Sequence, residues 1–216
     1  MRRPAGSAAA IVMLGLFCAA VGCADTSMSR DGPAPALPPP AVGRERIVPA
    51  SDYGAFPERF TWQGRRFALQ GAGLCEFGFL GIDLYRAALY VERPVSAADE
   101  LLRCDQDLLL HLHFVRGLSA AQLRAAYEAS VGVNAGDDAR RYDAALGQLL
   151  AAMRDVAVGD GYTFAVLGGR ELVVQRNDVE LARIDDAAFA RLFVRLYFGD
   201  QPPDANMKRA MLEGGR

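Results

Sequence analysis

The chain has 216 residues, 51% of them hydrophobic, with 24 Lys and Arg against 26 Asp and Glu and a net charge of −2. That balance leaves no electrostatic footprint for nucleic acid, so the sequence argues against a nucleic-acid partner. Lys208 is the only lysine, and the arginine bias reads as coding preference without functional content.

Arg2 and Arg3 precede an apolar run from Ala8 through Val21, the order of a secretory signal peptide. The run is shorter than the roughly 20 apolar residues that a membrane-spanning helix needs. Ala20-Val21-Gly22-Cys23 resembles a lipobox, with Ala20 where leucine is usual, and makes Cys23 the expected lipidation site. Gly22-Cys23-Ala24 also suits an ordinary signal peptidase, so both kinds of cleavage stay open. The expectation is a signal peptide over residues 1–23 and a mature protein on the periplasmic side of the cell envelope. It would be lipid-anchored through Cys23 or soluble there, two acyl chains holding a membrane where one does so only marginally. Residues 24–51 are rich in Pro and Ala and include Pro38-Pro39-Pro40. Such a segment buries too little surface to offset its chain entropy and reads as a disordered, extended linker.

Residues 52–216 are a normal size for one domain with a substantial core. Arg59 to Gln63 and Arg66 to Gln70 alternate in polarity and predict a hairpin turning at Gln63-Gly64-Arg65. Gly71-Ala72-Gly73 reads as a turn, followed by two more strands, the second from Ile82 to Val91 and stopped by Pro94. Ser96-Ala97-Ala98-Asp99 starts a short helix reaching Leu102, and Asp107 to Val115 is strand-like. Ser119 caps an alanine-rich helix to about Val131, and Asp137 or Asp138 begins another that runs to Met153. Tyr162 to Leu167, Glu171 to Gln175 and Val179 to Ile184 predict three strands, separated by the turn pairs Gly168-Gly169 and Asn177-Asp178. Helices from Asp185 to Tyr197 and from Asp204 to Leu212 close the chain, the first with Phe189, Leu192, Phe193 and Leu196 on its apolar face. Blocks of strands around a helical block predict an α+β fold, an antiparallel sheet with helices on one face.

Several ordered stretches carry a resemblance. They are Leu69-Gln70-Gly71-Ala72-Gly73, Tyr85 through Glu92, Leu112 through Arg116, Val158-Gly159-Asp160, and Phe193 through Asp200, with Lys208 and Leu212 beyond. Together they resemble the chalcone isomerase-like proteins, in the exported bacterial branch of that superfamily. The resemblance implies an open-faced β-sandwich, a large antiparallel sheet covered by a layer of helices, with ligands held in the cleft between the two. It also implies a catalytic arginine two positions after the Gly-Ala-Gly motif, where this chain has Cys75. A threonine of the next strand corresponds to Tyr85, and a tyrosine and a lysine of the first long helix fall at Leu123 and Ala126. A neutral thiol supplies neither the charge nor the planar donor fork of an arginine. No catalytic residue is therefore assigned, and chalcone isomerisation is not expected.

Non-catalytic relatives resemble fatty-acid binders in which an arginine and a tyrosine grip a carboxylate. The leading expectation is thus a non-catalytic domain holding a small apolar ligand, such as a fatty acid. Its candidate ligand-binding residues are Cys75, Tyr85, Arg86 and Arg116. An isomerase or intramolecular lyase of altered chemistry using Tyr85, Cys75, Glu76 or Arg116 is one alternative; a structural or partner-binding envelope lipoprotein is another. His111 and His113, at i and i+2, would share one face of a strand, a spacing some metal sites use, but no nearby residue completes a ligand set and no metal or other cofactor is expected. Cys75 and Cys104 are either two buried thiols or a disulfide.

Overall fold

The computed structural model describes residues 56–77 and 81–214. The expected signal peptide, Cys23 and the linker lie outside the described residues. The described chain forms one antiparallel sheet whose seven strands lie side by side in chain order. These are β1 (Arg59–Trp62), β2 (Arg65–Phe77), β3 (Ile82–Val91), β4 (Leu108–Phe114), β5 (Gly161–Leu167), β6 (Glu171–Arg176) and β7 (Val179–Asp185). Helix α1 (Ala98–Leu102) joins β3 to β4, and α2 (Ala120–Ala135), a 3-10 segment (Gly136–Tyr142) and α3 (Asp143–Ala152) join β4 to β5. Helices α4 (Ala187–Phe198) and α5 (Ala205–Glu213) follow the last strand. This is the expected α+β architecture, a large antiparallel sheet with helices packed against it.

Local chemistry accounts for these elements. Gln63 and Gly64 both have positive φ, as do Asn177 and Asp178, the pattern of a two-residue type I′ turn whose twist matches that of the flanking strands. The Asn177 side chain also accepts a 2.8 Å hydrogen bond from the Gly161 amide, tying that turn to the start of β5. Ser119 and Gln122 form a capping box on α2. Asp186 and Asp204 accept from the first amides of α4 and α5, satisfying donors that a helix start otherwise leaves unpaired.

Strand alternation divides the interior in two. Tyr85, Leu89, Leu110, Phe114, Phe164 and Val174 are among the side chains that face the helices and build the main core with them. Ala88, Tyr90, Leu109, Ala165 and Val173 leave the other face, where Phe56, Trp62 and Phe67 join them in a second, smaller cluster. The helical layer is hydrophobic on the facing side because α4 repeats aromatic residues at Phe189, Phe193 and Tyr197, four apart and all buried.

Two expectations need correction. Gly71-Ala72-Gly73 is no turn: β2 runs through it without a break, shifting register only between Leu69 and Gly71 and between Cys75 and Glu76. The glycines serve a different purpose, since α5 lies with its backbone directly on that stretch. A Cβ at Gly71 would stand 2.6 Å from the carbonyl oxygens of Ala210 and Met211, and one at Gly73 2.7 Å from that of Met207. The first long helix also extends beyond Val131 to Ala135, and residues 136–142 wind as 3-10 helix before α3 begins.

Gly73→Ala should therefore push α5 off the strand and destabilise the fold by about 1–3 kcal/mol, the usual cost of overpacking. Gly147→Ala, on α3 with nothing within 4 Å of an added Cβ, should instead stabilise by roughly 0.5–1 kcal/mol through helix propensity. Urea denaturation of the two variants measures both, and a Gly73→Ala protein as stable as the parent would contradict the contact.

Candidate functional site

Three hydroxyl side chains and a thiol meet between sheet and helices. Cys75 of β2 and Tyr85 of β3 are direct cross-strand partners, so their side chains rise from the same face of the sheet. Tyr127 descends from α2 and Tyr197 from the last turn of α4. The Tyr127 and Tyr197 hydroxyls lie 3.0 Å apart in a buried hydrogen bond. Tyr85 stands beside Cys75, its cross-strand partner, and close enough to Tyr197 for the two to bear on each other's ionisation.

The setting is apolar and aromatic. Cys75, Tyr85, Tyr127 and Tyr197 are exposed by only 4%, 9%, 7% and 3%. Phe114 packs on Tyr85 with ring centroids 5.7 Å apart, Phe164 on Tyr127 at 5.9 Å, and Phe193 on Tyr197 at 5.5 Å. Burial pushes the Cys75 thiol up to about 12, and the carboxylates of Asp204 and Glu76 push it the same way, with the neighbouring Tyr85 acting in the opposite direction. Burial likewise holds Tyr85, Tyr127 and Tyr197 above the ordinary tyrosine value. All four groups are consequently neutral near pH 7. Cys75 is a thiol and not the thiolate that nucleophilic chemistry requires. What the set can do is donate and accept hydrogen bonds, since each hydroxyl or thiol does both.

Helix α5 brings a carboxylate to bear on this set. Gly71, Gly73 and Cys75 alternate onto one face of β2, and the helix rests on the two glycines. Its N-cap, Asp204, thereby reaches the neighbourhood of Cys75, and Asp204 Oδ2 accepts from the Glu76 amide at 3.2 Å.

The residues singled out from sequence do not all gather here. Cys75 and Tyr85 do. Arg86 follows Tyr85 on β3 and so leaves the opposite face, paired across the ladder with His113. Arg116 lies past the end of β4 and is exposed, and Glu76 is exposed beside Cys75. His111 is also on the face away from the helices: its Nδ1 lies 2.9 Å from the Thr163 hydroxyl, and its ring packs against Phe56 and Phe60. Burial lowers its pKa to about 4, keeping the ring neutral. Among the described residues no group of three or more His, Cys, Asp or Glu is placed to hold a metal. Cys75 and Cys104 are both free, buried thiols.

Tyr127 and Tyr197 escaped the sequence reading, although their spacing marks them. Tyr127 lies one helical turn beyond Leu123, the position where the resemblance implies a tyrosine, and both residues are buried on the same face of α2. Tyr197 continues the row of Phe189 and Phe193.

A family model described as chalcone isomerase-like matches residues 53–213. Among solved structures, the chain is similar to a fatty-acid binding protein of Arabidopsis thaliana. The two are 20% identical with a TM-score of 0.61, over 74% of this chain and 92% of that one. At that identity the likeness concerns the fold. No curated protein sequence matches the chain.

Because the Tyr127 and Tyr197 hydroxyls share a buried hydrogen bond, Tyr127→Phe and Tyr197→Phe should each destabilise by about 1–2 kcal/mol. The double variant should then lose less than the sum, with a coupling of roughly 0.5–1.5 kcal/mol in a denaturation cycle. Strict additivity would contradict the shared bond.

Proposed function

The chain belongs to the chalcone isomerase-like family, and within it we propose a non-catalytic member that holds a small apolar molecule, such as a fatty compound, between sheet and helices. One observation carries this reading: a few convergent polar groups, Cys75, Tyr85, Tyr127 and Tyr197, enclosed by aromatic side chains in the layer between sheet and helices. Ligand sites have this character, mostly apolar with a small number of placed polar groups that orient the guest. The fatty-acid binding protein that shares the fold supports the same class of ligand. The neutral state of the four groups supports a holding role over a catalytic one. Ring closure on an enone draws on a cation beside the nucleophile, and the position that would supply it is the buried thiol Cys75.

Mass spectrometry of the protein after gentle extraction tests this. A long-chain lipid released on denaturation, or taken up when offered to the stripped protein, is the expected result. Folded protein that carries no apolar compound and takes up none would overturn the reading.

We also propose that the domain works on the periplasmic side of the envelope, tethered through an acylated Cys23. The signal-like start and the lipobox support this. Cells fed a labelled fatty acid should label the parent chain and not a Cys23→Ser variant; equal labelling of the two would contradict the tether.

A further inference from the structure

We propose that the polar end of the held molecule is uncharged, a hydroxyl, an ester or a protonated carboxyl in place of a carboxylate. The proposal rests on the ligand-holding reading above and adds to it the chemical class of the headgroup.

The first ground is the make-up of the buried set. Cys75 and Tyr85 are cross-strand partners, and the Tyr127 and Tyr197 hydroxyls beside them share one hydrogen bond. Each hydroxyl owns one proton to donate, so the two tyrosines that share that bond leave one O–H over for a guest oxygen. A neutral oxygen takes that donor and meets no uncompensated charge.

The second ground is the sign of the surrounding charge. The ionised groups that bear on Cys75 are Asp204, at the start of α5, and Glu76 of β2, both acidic. Tyr85 of β3, Tyr127 of α2 and Tyr197 of α4 complete the titratable groups of the set, and Tyr162 of β5 bears on Tyr127. All of these are carboxylates or groups that are neutral near pH 7. A carboxylate guest would therefore be desolvated in a negative field, which favours its protonated form.

The third ground is where the nearby cations are spent. Arg86 leaves the opposite face of β3, and Arg116 is exposed. Lys208 of α5 directs its ammonium to the Gly199 carbonyl at 2.8 Å, at the end of α4. A position that could have carried an arginine into the layer carries Cys75 instead.

The test uses the full chain and three probes of equal chain length, 1-dodecanol, methyl dodecanoate and dodecanoic acid, each displacing a fluorescent apolar dye at pH 5 and pH 8. The alcohol and ester should bind equally at the two pH values. The acid should weaken by at least about tenfold at pH 8, since each pH unit above a carboxyl pKa removes tenfold of the neutral form. Acid that binds as well or better at pH 8 overturns the uncharged headgroup and leaves the apolar site standing. If none of the three binds, both readings fall. Tyr85→Phe, confirmed folded by circular dichroism, should weaken dodecanol severalfold; unchanged affinity would overturn the assignment of the headgroup to this set.

Discussion

The close approach of α5 to β2 is the contact on which the site depends. A helix backbone meets a strand backbone there because Gly71 and Gly73 offer no Cβ to keep them apart. Any side chain at either position would stand within 3 Å of a helix carbonyl, a separation that packed interiors do not tolerate. The contact sets the height of the helix above the sheet, brings Asp204 to the amide of Glu76, and places a carboxylate beside Cys75. The next residue of that strand face, Cys75, is then covered and loses water. Its thiol stays protonated as a consequence.

From that point the layer between sheet and helices follows a consistent logic. Aromatic residues from β4, β5 and α4 exclude solvent around Tyr85, Tyr127 and Tyr197. Desolvation keeps the hydroxyls neutral, and neutral hydroxyls satisfy one another in a low-dielectric interior where an isolated one would be costly. The alternation of β3 separates functions within two residues. Tyr85 faces the helices, and Arg86 the other side. A charged group that would suit a carboxylate is thus next to the site in sequence and across the sheet from it in space.

Much of the architecture was legible because it rests on local chemistry. Gly64 and Asn177-Asp178 announce their hairpins through residues that tolerate positive φ. The short apolar runs of β3 to β6 and the period-3.6 pattern of α4 announce a sheet and a helix that need each other's apolar faces. Gly71-Ala72-Gly73 was misleading, because glycine marks both a turn and a close backbone approach, and only the partner helix, more than a hundred residues away, distinguishes them. The site was half legible. Cys75 and Tyr85 follow from the family motif, whereas Tyr127 and Tyr197 become visible as partners only when α2 and α4 are brought over the sheet. Arg86 stands on the other face of the sheet from this set; its strand was legible in the sequence and its face was not.

The most direct measurement is an experimental structure of the protein with a long-chain alcohol bound. The account predicts the chain lying between the sheet and the helices, among Phe114, Phe164 and Phe193, with its oxygen in hydrogen-bond reach of Tyr85, Tyr127, Tyr197 or Cys75. An alcohol found instead on the opposite face, against Trp62 and Tyr90, would contradict it.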